Sequence, residues 1–156
     1  MDAAPQRLTA VAGAHLMTEM TPDQRDAFLQ ETRIAKLATL NRDGSPTIVP
    51  VWFEWDGATA ALFTHKASPK VARLRMHPAV ALSVEEGVGV PEAWVTIEGT
   101  ASLESEGGWD LANRLAQRYY TAEKNRTVLP AWERMADEWI VVRIVPKRIR
   151  SSAAGS

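Results

Sequence analysis

A chain of 156 residues is long enough to bury most of its apolar surface in one domain, and its formal net charge of −1 gives no global field to attract nucleic acid or an anionic membrane. It has no cysteine, which excludes disulfides, thiolate nucleophiles and thiolate metal sites, so any redox chemistry must be borrowed from a cofactor. No apolar run approaches the ~18 residues of a membrane span, and Met1–Met17, interrupted by Arg7 and His15, lacks the apolar core of a signal peptide. These features predict a soluble, cytoplasmic protein with 1–18 as a loose extension, 19–150 as the folded domain and 151–156 as a disordered tail.

Thr21-Pro22-Asp23-Gln24 combines an N-cap hydroxyl, a proline at the first helical position and a glutamine at the third, predicting a helix to about Thr32 with Phe28 and Leu29 inward. Ile34–Leu40 is largely apolar in both parities, as in a strand covered on both sides. Asp43-Gly44 makes a turn, and Thr47–Trp55 returns as a strand rich in β-branched and aromatic residues. Pro50 lies inside it and cannot donate to a ladder, so this point is an edge, a bulge, or backbone that faces a ligand.

Asp56-Gly57 is a second tight turn, and Ala58–Thr64 is the third strand. Ser68-Pro69 starts a short helix over Lys70–Met76, stopped by Pro78, with Lys66, Lys70 and Arg73 near its beginning. Ala79–Glu85 is a fourth strand, Glu86–Glu92 a loop, and Ala93–Glu104 a long alternating fifth strand. Gly107-Gly108 precedes a helix over Trp109–Tyr120; Thr121–Leu129 reads as a loop, Pro130 starts another short helix, and Trp139–Ile149 is the sixth strand. The pattern predicts a mainly β (α+β) fold, a six-stranded antiparallel closed or split β-barrel with flanking helices. A Rossmann fold is disfavoured by the lack of regular strand–helix alternation and of a glycine fingerprint.

Familiar catalytic arrangements are missing. His15, His65 and His77 have no partners at metal-ligand spacing, and Ser45 and Ser68 lack a nucleophile-elbow context, so neither a metal site nor serine hydrolysis is predicted. The segment Thr64–Lys70 differs in bringing two hydroxyls, two ammoniums and a helix N-terminus together, either as a phosphate seat or as a solvated loop with an ordinary N-cap serine. Trp52 and Trp94 border a planar ligand, or fill a core or a dimer interface.

Ile34–Pro46, Val49-Pro50-Val51-Trp52-Phe53, Thr64 with Ser68-Pro69-Lys70, Leu74, His77–Leu82 and Trp94–Ala101 follow one another in an order that resembles the pyridoxamine 5′-phosphate oxidase-like split-barrel family, and most of all its flavin- and deazaflavin-dependent oxidoreductase branch. The resemblance covers about residues 20–150. It implies an FMN-binding type of split barrel that forms a homodimer, with the cofactor in a groove at the subunit interface and a small organic molecule as substrate. Ser68 and Lys70 would hold the cofactor phosphate, with Thr64 nearby, and the backbone around Pro50-Val51-Trp52 would lie along the ring.

Two departures stand out. Pro69 occupies a place where the family often has arginine, and Val49 replaces an arginine of the oxidase proper, so Lys66, Arg73 or the other subunit would have to compensate. These changes argue against oxidation of pyridoxamine phosphate itself. The resemblance implies hydride transfer with coenzyme F-420, favoured over FMN by analogy, and the alternative is a non-catalytic binder of flavin, F-420 or haem. No catalytic side chain is assigned; Tyr119, Tyr120 or a water would donate the proton.

Overall fold

Capping and turn residues set the boundaries in the computed structural model, which describes residues 16–155. The expected N-terminal extension therefore lies mostly outside the described residues, as does Ser156. Thr21 closes the predicted capping box on α1 (Pro22–Gln30), with its side chain accepting from the Gln24 N–H and the Gln24 side chain accepting in return. Asp43 and Asp56 hold their turns through bonds from the Ser45 and Thr59 N–H groups, and Gly44 and Gly57 take the left-handed backbone that these turns require.

The strands are β1 (Met17–Thr18), β2 (Ala35–Leu40), β3 (Pro46–Val51), β4 (Glu54–Trp55), β5 (Ala60–His65), β6 (Ala79–Glu85), β7 (Ala93–Glu104) and β8 (Trp139–Ala154). All pair antiparallel in the order β3-β2-β6-β7-β8-β5-β4, with β1 added to β8. The two ends of this sheet, β3 and β4, are consecutive in the chain, separated only by Trp52 and Phe53. Two residues span little distance, so the sheet must curl until its ends nearly meet. The result is the expected mainly β split barrel, with six long strands and two short ones.

Side chains of one parity fill the barrel: Ala35, Leu37, Val51, Phe53, Leu62, Leu82, Val84, Val95, Ile97, Val142 and Ile144 form one buried cluster. Helix α3 (Gly108–Tyr119) packs outside β5 and β8 through Leu111 and Leu115, which meet Ala61 and Val141. Helix α2 (Pro69–Met76) buries Val71 and Leu74. Among the described residues no helix is long and apolar enough to cross a membrane.

Four expectations need correction. The strand expected over Thr47–Trp55 is two strands, because at Trp52 the chain leaves the β2 ladder and at Glu54 joins that of β5. Ile34–Leu40 is covered on one side only: Ala35, Leu37 and Thr39 are buried, whereas Lys36, Ala38 and Leu40 are half-buried on a face without a helix over it. Thr121–Leu129 belongs to a helix, α4 (Ala122–Glu133), because Thr121 caps it by accepting from the Lys124 N–H at 3.2 Å; Pro130 sits inside this helix and does not start one. The tail from Ser151 is not disordered as far as Ala154. It continues β8 beside β7, and the buried Ser151 hydroxyl accepts from the Met20 N–H at 3.3 Å.

The long β7–β8 ribbon changes register at a bulge between Glu98 and Gly99. A Cβ on Gly99 would lie 2.2 Å from the Val145 carbonyl oxygen, a backbone atom that cannot swing aside. Gly99→Ala is expected to lower unfolding free energy by about 1–3 kcal/mol, read from the urea midpoint at unchanged slope.

Candidate functional site

Where β3 ends and the chain crosses the split, a groove of about 440 Å³ opens, lined by Ile34, Pro50, Val51, Trp52, Phe63 and Lys70. Pro50, on the edge strand β3, lies across from Lys36 of β2, and an edge is where a sheet tolerates a residue without an N–H. It also lines the groove. Five of the six lining residues are apolar, and the single charge is the Lys70 ammonium.

That ammonium is half-buried and has no carboxylate partner among the described residues. Burial, and then the nearby Arg73 charge, push its pKa below the usual lysine value. Arg73 donates from Nε to the buried Thr39 hydroxyl at 3.0 Å, which fixes the guanidinium stem one helical turn from Lys70. The Ser68 hydroxyl caps α2 by accepting from the Lys70 N–H at 3.3 Å, and Pro69 fills the first helical position. A cation without an anion, next to a capped helix start, is suited to an anionic group of a ligand.

The remaining expected residues are placed elsewhere. Thr64 is buried at the end of β5 and Lys66 pairs with Glu138 at 3.1 Å; neither lines the groove. Val49 packs against the barrel core and does not line the groove. Trp55 is core, donating from Nε1 to Asp26 at 2.9 Å. Ile34 and Phe63 line the groove although sequence reasoning treated them only as strand residues; their contribution depends on how far the sheet curls, which local pattern does not record.

Trp52 meets four aromatic neighbours. Its ring stacks on Tyr119 at 5.0 Å and 1° between planes, takes the Tyr120 edge at 4.6 Å and 88°, and connects to Phe63 and Trp132. The Tyr119 hydroxyl donates to the Arg33 carbonyl at 2.6 Å and accepts from the Phe53 N–H at 3.5 Å. Arg33 precedes Ile34, and Phe53 follows Trp52. One hydroxyl therefore ties together the two backbone segments that wall the groove. The Tyr119 proton is committed to a carbonyl and burial raises its pKa further, so the structure gives this phenol a bracing role in place of the expected proton donation.

Beyond Ile34 lies a second hollow of about 780 Å³, walled by Lys36, Glu85 and the loop 86–92. Lys36 pairs with Glu85, and Arg33 pairs with Glu86 at 2.8 Å, which holds the Glu86 carboxyl below its usual range. No group of three metal-ligating side chains exists among the described residues.

The model of the pyridoxamine 5′-phosphate oxidase family matches residues 21–152. An F-420H(2)-dependent biliverdin reductase of Mycobacterium tuberculosis is 34% identical over 112 residues, covering 69% of this chain and 79% of the relative. A solved structure of a conserved hypothetical protein from Mycobacterium tuberculosis has 29% identity and a TM-score of 0.71, covering 86% of this chain and 85% of the other. A solved F-420 reductase at 21% identity shares the fold, with a TM-score of 0.64 over 80% of this chain and 94% of the other.

Replacing Tyr119 by phenylalanine keeps the stacked ring and removes the brace. The expected outcome is a loss of about 1–2 kcal/mol in stability and faster amide exchange at Phe53. Exchange at Phe53 equal to wild type would show that the hydroxyl does not hold this segment. Because the folded phenol titrates above its ordinary value of 10.0, its contribution is fully present below that pH and is lost as pH rises through the raised value.

Proposed function

The chain belongs to the pyridoxamine 5′-phosphate oxidase family, and we propose that it is an oxidoreductase whose groove holds coenzyme F-420 by its phosphate and ring. The single observation that carries this reading is the half-buried Lys70 ammonium, uncompensated among the described residues, at the charged end of an otherwise apolar groove. The similarity to an F-420H(2)-dependent reductase supports F-420 over FMN as the cofactor.

The residues fit such a group. Lys70 supplies positive charge to a phosphate, Ser68 a hydroxyl donor, and Arg73 a second cation one turn along α2. Pro50 offers a flat, non-donating edge for a planar ring. When bound, the cofactor supplies the hydride. Ile34, Val51, Trp52 and Phe63 exclude water around it, and Tyr119 keeps the walls at a fixed spacing. The hollow beyond Ile34 gives an organic substrate room beside the ring, with its cations already neutralised by Glu85 and Glu86.

A homodimer completes the site. Its supporting feature is the outer face of β3, β2 and β6, where Ile48 is 66% exposed and lies across from Ala38, itself across from Ala81. Such an apolar patch beside the groove suits burial against a second copy. A second reading, a binder without turnover, is favoured by one fact: apart from Lys70, no lining residue can give up a proton.

Titration calorimetry with F-420 and with FMN tests the cofactor. Micromolar F-420 binding supports the proposal, tighter FMN binding transfers it to FMN, and binding of neither would sink it. Single-turnover oxidation of bound reduced cofactor by an organic acceptor separates enzyme from binder.

Lys70→Met has two expected effects of opposite sign. Cofactor affinity should fall by about 1.5–3 kcal/mol, at least tenfold, through loss of a charge-assisted bond. Without ligand the variant should be more stable than wild type near neutral pH, because the native fold disfavours this charge, and the difference should shrink as pH approaches the ordinary lysine value of 10.5. Ile48→Lys should shift the dimer to monomer in sedimentation experiments and weaken cofactor binding with it.

A further inference from the structure

Strand β2 buries Ala35, Leu37 and Thr39 on one face, and of these three only Thr39, 1% exposed, is polar. A buried hydroxyl is costly unless it is bonded, and valine has nearly the same shape without that demand. Packing alone therefore gives no reason for threonine here. What the hydroxyl does is accept from Arg73 Nε at 3.0 Å, reaching across to helix α2.

That bond does more for Arg73 than for the core. It uses Nε, the nitrogen nearest the stem, and leaves both Nη groups without a hydrogen bond or a carboxylate among the described residues. Neither Nη is one of the buried polar atoms that lack a partner, so both are open to solvent. The guanidinium is planar, and anchoring Nε fixes the plane in which the Nη groups point. Lys70, whose ammonium lines the groove, precedes Arg73 by three positions on α2 and shares its face. The Arg73 charge is near enough to lower the Lys70 pKa. A fold that pins a second cation beside the first works against its own electrostatics, and an anion bound by both removes the conflict.

We propose that Thr39 is a positioning residue of the cofactor site: by holding Arg73 through Nε it aims the Nη pair at the anionic group that Lys70 binds, making a two-cation receptor for a phosphate. The inference rests on the phosphate reading of the groove and extends it to a residue that lines no part of that groove. Thr39 touches no ligand and acts only through Arg73. Because the long arginine side chain is already tethered, less of its rotamer freedom is left to lose when the phosphate binds.

The test is a ratio of dissociation constants from titration calorimetry on the full chain: riboflavin against FMN, which differ only by the phosphate, and the phosphate-free deazariboflavin against F-420. For the pair that wild type binds, the phosphate compound should bind about tenfold or more tightly. A wild-type ratio near one would overturn the phosphate reading and this inference with it. Thr39→Val should cut the ratio by about threefold to tenfold and leave the phosphate-free compound bound as before. Thr39→Ser, which keeps the hydroxyl, should hold the ratio near wild type. In an Arg73→Met background Thr39→Val should change the ratio no further, because the two residues act as one unit. A large wild-type ratio that Thr39→Val leaves intact would overturn the positioning role alone. So would an equal loss for both members of a pair, the mark of a merely structural residue, or a full additional loss in the Arg73→Met background.

Discussion

The barrel depends on a two-residue crossing. Because β3 and β4 terminate opposite ends of the sheet, Trp52 and Phe53 must bridge a gap that every other strand pair fills with ladder bonds. Backbone in such a gap is short of partners, and the Tyr119 hydroxyl supplies them at Phe53 and Arg33. Helix α3 thus does more than cover β5 and β8. By delivering one phenol to the split it lets the sheet stay open enough to leave a groove and closed enough to keep a core.

The electrostatics of the groove follow from the same geometry. Curling the sheet brings the start of α2 beside the crossing, which buries Lys70 among apolar side chains and next to Arg73. Neither the fold nor a neighbouring acid compensates the charge among the described residues, in contrast to the Arg33–Glu86, Arg114–Glu54 and Arg143–Glu104 pairs elsewhere on the surface. Of these, Arg114–Glu54 is exposed and contributes little to stability, whereas Arg33–Glu86 and Arg143–Glu104 are partly buried. An unpaired, partly desolvated cation is different: it is tolerated where a ligand will neutralise it.

Much of this was readable in the sequence because the decisive signals are local. Thr21, Ser68 and the Asp-Gly turns announce their caps and reversals, and alternation along Ala93–Glu104 gives the longest early strand. The grouping of Pro50, Val51, Trp52 and Lys70 followed from family likeness and is matched by their common groove. What escaped was non-local. Ile34 and Phe63 become groove residues only through curvature, Thr64 and Lys66 separate from Lys70 because β5 buries one and Glu138 holds the other, and Ser151–Ala154 is ordered by pairing with strands far away in sequence. Pro130 misled for another reason: a proline removes one helical bond, and a helix already capped by Thr121 and docked on α3 survives that loss.

The pairing of Met17 with Ala154, and the Met20–Ser151 bond spanning 131 positions, also carry a kinetic meaning. Strand β8 is the partner of β7, β5 and β1 at once, so three segments far apart in the sequence depend on it for their pairing. Until β8 is in place, β5 and β7 each lack the ladder partner on one side. These pairings are non-local, and the loops that must close before such contacts form make folding slow for a domain with so many local hairpins.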